Sequence, residues 1–265
     1  MRPTDYTKIA HVYDSNAARF NIAPDPRIRE LATRASGLAQ APGLAEGGSG
    51  APARVLDLAC GTGNYMAAQL AQVPGAANIE WHGLDASDAM LDIARTKLPG
   101  ISLQMGTAEA IAYDDASFDY VVCRFAFHHF TDKPAVLDEL TRVLKPGGTF
   151  TMVNVIPEYM PGWWVYYYCP ETRAEDMHRF WPKDLITHEL RKRGFSPHLH
   201  VAYDEALKSL DRVLEDYVRR DVSQLAIAAD AAWQAGLDMI DRQADAGIRA
   251  YHDEFALLEL QADFS

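Results

Sequence analysis

The sequence predicts a doubly wound α/β sheet, in which strands and helices alternate along the chain. Short apolar runs typical of buried parallel strands occur at 54–59, 81–85, 101–105, 118–124 and 149–156. Strands that alternate with helices through short loops favour a parallel sheet that is covered on both faces, with right-handed crossovers. The 265 residues suffice for one large domain, or for one domain with an elaboration.

The segments between the predicted strands have helical patterns. We expect helices at about 64–72, 88–97 and 134–143, and a turn at Lys145-Pro146-Gly147-Gly148 before the fifth strand. The first fifty residues read differently. Helical spacing at 4–20 and 26–40, followed by a loop rich in Gly, Pro and Ser, predicts an N-terminal helical flap over 1–50, ahead of a core at 51–156.

The last segment, 157–265, changes character after the fifth strand. It is expected to contain an aromatic, proline-punctuated stretch at 157–182, a helix at 183–193, a sixth strand at 197–203, two or three helices within 205–250 and a final strand at 253–261. A helical insert therefore precedes the last strand, within one compact domain overall.

Composition excludes several classes of protein. Hydrophobic residues make up 48% of the chain and charged residues 23%, which rules out a mostly disordered or fibrous protein. The net charge of −12 lacks the basic footprint of a nucleic-acid binder. Cys60, Cys123 and Cys169 form no CxxC pair, so neither a disulfide framework nor a structural metal site is indicated. The N-terminus has no signal-peptide core and no run is long enough to span a bilayer, so we expect a cytoplasmic protein.

The strongest motif is the glycine loop in Val55-Leu56-Asp57-Leu58-Ala59-Cys60-Gly61-Thr62-Gly63. It ends the first strand and opens a helix, where open α/β sheets bind ligands. A dinucleotide fingerprint needs a small third residue, yet Met66 stands there, and the Asp57 carboxylate is a poor neighbour for a pyrophosphate. Asp57 suits a ligand that carries an ammonium group, and Asp85 at the end of the second strand can accept both hydroxyls of a ribose. These features favour S-adenosylmethionine.

The chain resembles the class I S-adenosylmethionine-dependent methyltransferase family, in particular its small-molecule (type 11-like) members. The similarity rests on VLDLACGTG, GLDASDAMLDIAR, GTAEAIAYDDASFDYVVCRFAFHHFTD and LKPGGTF, which fall in the family's order and spacing. It implies a Rossmann-like, doubly wound sheet of seven strands, mostly parallel with the last strand antiparallel. It further implies methyl transfer from S-adenosyl-L-methionine, with S-adenosyl-L-homocysteine as product.

The resemblance also implies a set of cofactor-binding residues. These residues are Tyr6, Tyr13, Asp57, Ala59, Gly61, Gly63, Asp85, Ala86, Met90, Thr107, Ala108, Glu109 and Arg124. Asp57, Gly61 and Gly63 match the motif around the methionine part, and the two tyrosines belong to a flap that closes over the cofactor. The family often has Asp where this chain has Thr107, whose hydroxyl is a weaker partner for an adenine amine.

Two groups of residues are candidates for the acceptor side. His128 and His129 follow the fourth strand, and we expect one of them, with a preference for His129, to act as a general base. The alternative is that both histidines only pack. Trp163, Trp164, Tyr167 and Tyr168 form an aromatic stretch that suits an apolar substrate pocket or a packing cluster. The expected partner is a small molecule, with no nucleic acid, no membrane and no metal, and the oligomeric state is left open.

Rival interpretations stay open at this point. The protein could bind S-adenosylmethionine for other chemistry or without catalysis, because fold does not determine function. An RNA or protein methyltransferase is disfavoured by the acidic charge and by Arg124-Phe125-Ala126-Phe127 where an Asn-Pro-Pro-Tyr-type tetrad would stand. A nicotinamide-dependent oxidoreductase is disfavoured by Met66 and Asp57.

Overall fold

Seven strands form one sheet in the computed structural model, which describes residues 10–14, 22–35, 51–220 and 222–265. The strands are β1 (Arg54–Leu58), β2 (Glu80–Asp85), β3 (Ser102–Met105), β4 (Phe118–Arg124), β5 (Leu144–Val155), β6 (Phe195–Ser209) and β7 (Ala250–Phe264). Their order is β3-β2-β1-β4-β5-β7-β6. The pairs among β1 to β5 are parallel, whereas β7 runs antiparallel to both β5 and β6. The predicted fold class is confirmed.

Helices surround this sheet. They are α1 (Ala10–Tyr13), α2 (Pro26–Ala35), α3 (Asn64–Gln72), α4 (Asp88–Lys97), α5 (Lys133–Val143), α6 (Trp164–Tyr168), α7 (Glu171–Arg179), α8 (Lys183–Lys192), α9 (Leu210–Arg219), α10 (Ser223–Ile227) and α11 (Asp230–Asp245). Among the described residues, none of these helices has the length and apolarity needed to cross a bilayer.

The centre of the sheet is buried on both faces. Leu56 and Leu58 of β1 belong to one apolar cluster, and Val55 belongs to a second cluster on the opposite face. Burial on both faces explains why the strand reads as a continuous apolar run. Because β1 pairs with β2 on one side and β4 on the other, the strand order reverses there and opens a crevice at the carboxyl ends of the strands.

The flap is tied to this core where the structure describes it. The hydroxyl of Tyr65 donates a hydrogen bond to an Asp25 carboxylate oxygen at 2.6 Å, and the hydroxyl of Tyr120 donates to the same atom at 2.8 Å. Of the predicted helices at 4–20 and 26–40, Ala10–Tyr13 and Pro26–Ala35 are helical. Asp14 forms a turn after the first of these helices, and the rest of those predictions, 4–9, 15–20 and 36–40, lies outside the described residues, as do the loop at 41–50 and Tyr6.

Two local expectations were wrong. Residues 205–209 belong to β6 rather than to the helical insert, because β6 pairs with β7 from Phe195–Phe264 to Ser209–Ala250. The segment 145–148 lies within β5, where a register shift against β4 accommodates it, rather than in a separate turn. The sheet contains strands from both 51–156 and 157–265, and the division of the chain at 50 and 156 stays a prediction.

Candidate functional site

A first cavity of about 370 Å³ lies at the carboxyl ends of β1, β2 and β4. Ten of the thirteen predicted cofactor residues line it. These are Tyr13, Ala59, Gly61, Asp85, Ala86, Met90, Thr107, Ala108, Glu109 and Arg124. The cavity therefore occupies the crevice that the switch in strand order creates, where ligands bind in open α/β sheets.

The glycine loop forms one wall of the first cavity. Ala59, Gly61 and Gly63 all have a left-handed backbone, with φ of 60°, 54° and 76°. Among the described residues, a Cβ on Gly61 would meet no atom within 4 Å, whereas one on Gly63 would lie 2.5 Å from Leu98 Cδ1. Gly61 thus leaves the wall open to a ligand. Gly63 instead lets the start of α3 approach Ala94 and Leu98 at the end of α4, so its Cα faces those side chains rather than the cavity.

Asp85 is held rigidly at the edge of this loop. Its Oδ2 accepts a hydrogen bond from the Gly61 N–H at 2.8 Å, and its Oδ1 accepts one from the Ser87 N–H at 2.9 Å. Burial raises the pKa of Asp85, and these backbone donors oppose the rise without reversing it. A carboxylate oxygen has two lone-pair directions, so each oxygen keeps capacity for a ligand hydroxyl.

Glu109 closes another side of the first cavity. One of its oxygens accepts hydrogen bonds from the Thr131 N–H at 2.9 Å and the Thr131 hydroxyl at 3.0 Å. Burial raises the pKa of Glu109, but the bonds from the backbone and from Thr131 outweigh it and hold the pKa below its ordinary value. Glu109 therefore ties the loop after β4 to the cavity wall and is more than a solvated surface acid.

A second cavity of about 340 Å³ adjoins the first. The two share five lining residues, namely Tyr13, Ala59, Gly61, Arg124 and Phe125. Asp57 lines the second cavity, and its Oδ2 is buried without a hydrogen-bond partner among the described residues. Burial raises the pKa of Asp57 to about 7, the Arg124 cation opposes that rise and the Asp85 carboxylate adds to it. A cationic donor would satisfy this orphaned oxygen.

Arg124 stands where the two cavities meet. Within the described part of the chain its guanidinium makes no hydrogen bond or ion pair, and it lies 5.7 Å from the ring centroids of both Tyr65 and Phe125. Contacts with ring faces hold the cation in place while leaving its five N–H donors for a ligand.

His128 and His129 lie on a single 3-10 turn, Phe127–His129, that follows β4. Their ring centroids are 3.9 Å apart, yet His128 lines the second cavity and His129 lines the first. Burial, assisted by the cations Arg179 and Lys133, lowers the pKa of His129 to about 3. Burial and the neighbouring His129 and Arg179 also hold the pKa of His128 well below its ordinary value. Both rings are therefore neutral at pH 7 and are weak proton acceptors, and a base role for either stays a prediction.

The aromatic stretch divides between two environments. Trp163 lines the second cavity, whereas Trp164, Tyr167 and Tyr168 line neither cavity. Trp164 packs edge-on against Tyr217 of the insert, and the Tyr168 hydroxyl donates to Gln243 at 2.6 Å. The structure thus separates one candidate substrate residue from three that pack against the insert.

The residues of the second cavity that sequence reasoning missed include Asn154, Gln224 and Phe255. Asn154 had a usable signal, because a polar side chain in the apolar run of β5 must find a partner when it is buried. Gln224 and Phe255 lie far along the chain, on α10 and β7, and nothing in their local sequence points to a site.

The chain is similar to known methyltransferases. The family model described as "Methyltransferase domain" matches residues 55–148. Demethylmenaquinone methyltransferase of Chlorobaculum tepidum is 44% identical over 95 residues, 36% of this chain and 38% of that protein. The corresponding enzyme of Thermotoga maritima is 37% identical over 106 residues, 40% of this chain and 45% of that protein. The matched part of the chain thus spans less than half the length of these curated relatives.

Solved structures share the fold over a longer stretch. The YcgJ protein from Bacillus subtilis covers 81% of this chain and 92% of its own, with a TM-score of 0.54 and 21% identity. Phosphoethanolamine N-methyltransferase 2 of Haemonchus contortus, solved with S-adenosyl-L-methionine, covers all of this chain and 60% of its own, with a TM-score of 0.55 and 16% identity. At these identities the likeness concerns the fold alone.

Proposed function

Because residues 55–148 form a methyltransferase domain of the class I S-adenosylmethionine-dependent family, we propose that this protein methylates an O, N or C atom of a small organic molecule. S-adenosyl-L-methionine would be the donor and S-adenosyl-L-homocysteine the product. A location in the cytoplasm and the absence of a nucleic-acid or membrane partner belong to the same proposal.

The observation that carries the proposal is Asp57 Oδ2, which has no hydrogen-bond partner in the part of the chain that the structure describes, together with the fixed carboxylate of Asp85. The first residue would accept the ammonium of the methionine part, and the second would accept the ribose hydroxyls. Ala86, Met90 and Ala108 add apolar wall to the first cavity, as a flat adenine requires. When bound, S-adenosyl-L-methionine supplies an electrophilic methyl group on a cationic sulfonium.

The chain's own contribution would be to hold donor and acceptor in position and to exclude water from them. Arg124, Tyr13 and Phe125 border both cavities, so a group in the second cavity would face one in the first. Holding two reactants at near contact supplies a large part of the catalysis of a displacement reaction. The acceptor itself is not taken from the curated relatives, because Trp163, Gln224 and Phe255 of the second cavity lie outside residues 55–148.

Calorimetric titration with S-adenosyl-L-methionine and S-adenosyl-L-homocysteine tests the proposal, with NAD as the control ligand. We expect both adenosyl compounds to bind and NAD not to bind. Asp85→Ala should weaken binding about 100-fold, because two hydrogen bonds to a charged group are lost. Asp85→Asn, which keeps one acceptor oxygen, should weaken it less. Binding of NAD, or equal affinity of wild type and Asp85→Ala, would contradict the assignment.

Product formation separates catalysis from mere binding. Incubation with methyl-labelled donor and a panel of small hydroxyl, amine and carbon acceptors should transfer label to at least one acceptor. Tight binding of the donor with no transfer to any member of a broad panel would favour the alternative, a protein that binds S-adenosylmethionine without methylating.

A further inference from the structure

The protonation pattern of His128 follows from its contact with Asn154 in the second cavity. The Val155 N–H donates a hydrogen bond at 3.1 Å to Asn154 Oδ1, which identifies that atom as the amide oxygen. His128 Nδ1 lies 3.2 Å from the same oxygen. An amide oxygen only accepts, so Nδ1 must carry the proton. In a neutral imidazole this leaves His128 Nε2 as a bare acceptor.

That acceptor has no partner within the described part of the protein. His128 is 4% exposed, and its Nε2 is buried and makes no hydrogen bond. The ring is held between His129, at 3.9 Å between centroids, and Phe180, at 4.1 Å and nearly parallel. Stacking on its neighbours and the bond to Asn154 fix the direction of Nε2. A buried acceptor that is oriented but unsatisfied calls for a donor from a ligand.

We propose that His128 Nε2 accepts a hydrogen bond from a neutral hydroxyl group, of the phenol or enol class, on the molecule that is to be methylated. Asn154 is the positioning residue, because it selects the tautomer in which Nε2 is unprotonated and its lone pair can accept a hydrogen bond. The inference rests on the proposed function in one respect, which is that the second cavity receives the acceptor molecule.

The surroundings favour a hydroxyl over an ammonium group. The Lys133 ammonium donates to the carbonyl oxygens of His128, at 3.5 Å, and Phe130, at 2.8 Å. Arg124 lines the same cavity, and the Arg179 cation is close enough to His128 to affect its ionisation. Arg179 is itself paired with Asp176, and the Asp57 carboxylate on the wall of this cavity is assigned above to the ammonium of the methionine part. Arg124 is then the cation that faces the acceptor molecule, where it disfavours a second positive charge and stabilises the partial negative charge that a hydroxyl oxygen develops when its proton is shared.

The walls of the second cavity suit an unsaturated ring. Trp163 and Phe255 both line it, with ring centroids 6.1 Å apart. Aromatic side chains offer broad apolar faces, against which a planar phenol or enol can pack while its hydroxyl reaches one acceptor.

Imidazole nitrogen NMR on wild-type protein with 15N-labelled histidine rings tests this directly. Phenol, anisole and benzylamine are the probes, with and without S-adenosyl-L-homocysteine. We expect His128 to show one tautomer, with Nδ1 protonated and Nε2 bare, and phenol to shift the Nε2 signal saturably. Anisole has no donor and benzylamine is charged, so neither should do so. A protonated Nε2, no shift with phenol up to its solubility, or an equal shift with anisole or benzylamine would overturn the proposal.

Variants identify the signal and test the role of Asn154. His128→Phe keeps a stacked ring but removes the imidazole, so the signals that disappear from the spectrum belong to His128. The variant should bind phenol about tenfold more weakly than wild type does, with an affinity equal to that for anisole. Asn154→Leu should populate both tautomers, as seen in the spectrum, and retention of a single tautomer would refute the positioning role. If His129→Phe rather than His128→Phe removes the preference for phenol over anisole, the assignment fails.

The proposed function has a separate readout. Calorimetry with S-adenosyl-L-homocysteine reports on the first cavity and on Asp57, and His128→Phe, which changes neither, should bind that ligand as wild type does. If wild type does not bind it, the proposed function fails, while the ring spectra with phenol still decide the role of His128.

Discussion

The side-chain hydroxyl of Thr62 donates a hydrogen bond to the Asp14 carboxylate, with 2.8 Å between the two oxygens. Asn64 Nδ2 donates to the same carboxylate oxygen at 2.9 Å, and Lys97 Nζ donates to the other oxygen at 2.9 Å. Asp14 follows α1, whose Tyr13 lines both cavities. One carboxylate therefore joins the described part of the flap to the glycine loop and to α4.

Loss of the Asp14 carboxylate should weaken cofactor binding more than it weakens the fold. Burial raises the pKa of Asp14, but hydrogen bonds from Lys97, Asn64 and Thr62 outweigh it and keep the group ionised. Asp14→Ala removes all three bonds, and we expect about tenfold weaker binding of S-adenosyl-L-homocysteine by calorimetry. Asp14→Asn keeps an acceptor for Thr62 and should lie between wild type and Asp14→Ala. Equal affinities for all three proteins would refute the link.

The affinity for S-adenosyl-L-homocysteine should depend on pH through Asp57. Its pKa of about 7 means that the carboxyl is mostly protonated at pH 6 and mostly ionised at pH 8. Only the ionised form attracts an ammonium group, so affinity should rise about tenfold from pH 6 to pH 8. Asp57→Asn should bind more weakly at pH 8 and show a flat profile over this range. A rise of the same size in Asp57→Asn would assign the titration to another group.

Local signals were sufficient for much of the sheet. The strand Phe118–Arg124 and the helix Asp88–Lys97 were predicted to the residue. The helix has a clear start, because the Ser87 side chain accepts a hydrogen bond from the Met90 N–H as an N-cap. The ends of β6 were missed because its outer half, 204–209, is largely exposed and is specified by pairing with β7 rather than by an apolar pattern.

The site likewise combines residues that the local sequence identifies with residues that only the tertiary structure brings in. The wall residues Gly61, Asp85 and Glu109 lie at or just after the ends of β1, β2 and β3, so their approach to one another could be expected from the order of the strands. Gln224 and Phe255 reach the second cavity through the tertiary placement of α10 and β7. Neither is recognisable locally, because many core positions carry residues of these types. Trp163 and Trp164 show most clearly what local sequence cannot predict. They are adjacent in one aromatic stretch, yet Trp163 lines the second cavity and Trp164 packs against Tyr217.

Asp25 should contribute strongly to stability. Its Oδ2 accepts hydrogen bonds from the hydroxyls of Tyr65 and Tyr120, which are 4% and 0% exposed. Asp25→Ala leaves these phenols without their charged acceptor, and we expect the free energy of unfolding in urea to fall by about 3 kcal/mol. Asp25→Asn, which retains a neutral acceptor, should lose less. An unchanged urea midpoint for Asp25→Ala would show that other groups satisfy the two hydroxyls.

The two glycines of the loop should respond to the same substitution in opposite ways. An alanine Cβ at Gly61 meets no atom of the described part of the chain within 4 Å and would project from the wall shared by both cavities. At Gly63 it would come within 2.5 Å of Leu98 Cδ1. Both positions have positive φ, which costs an alanine roughly 1 kcal/mol in either case. That shared cost cancels in the comparison, so the difference between the variants reports on the space around each Cβ.

We therefore expect Gly61→Ala to retain most of its thermal stability but to bind S-adenosyl-L-homocysteine at least tenfold more weakly, since the methyl group occupies ligand space. Gly63→Ala should lose about 2 kcal/mol or more of stability, because α3 and α4 must separate or Leu98 must repack. Thermal unfolding and calorimetry on the two variants check this. If Gly63→Ala proves as stable as Gly61→Ala, the Leu98 side chain can move aside at little cost. Close packing at the end of α4 is then not the reason for glycine at that position.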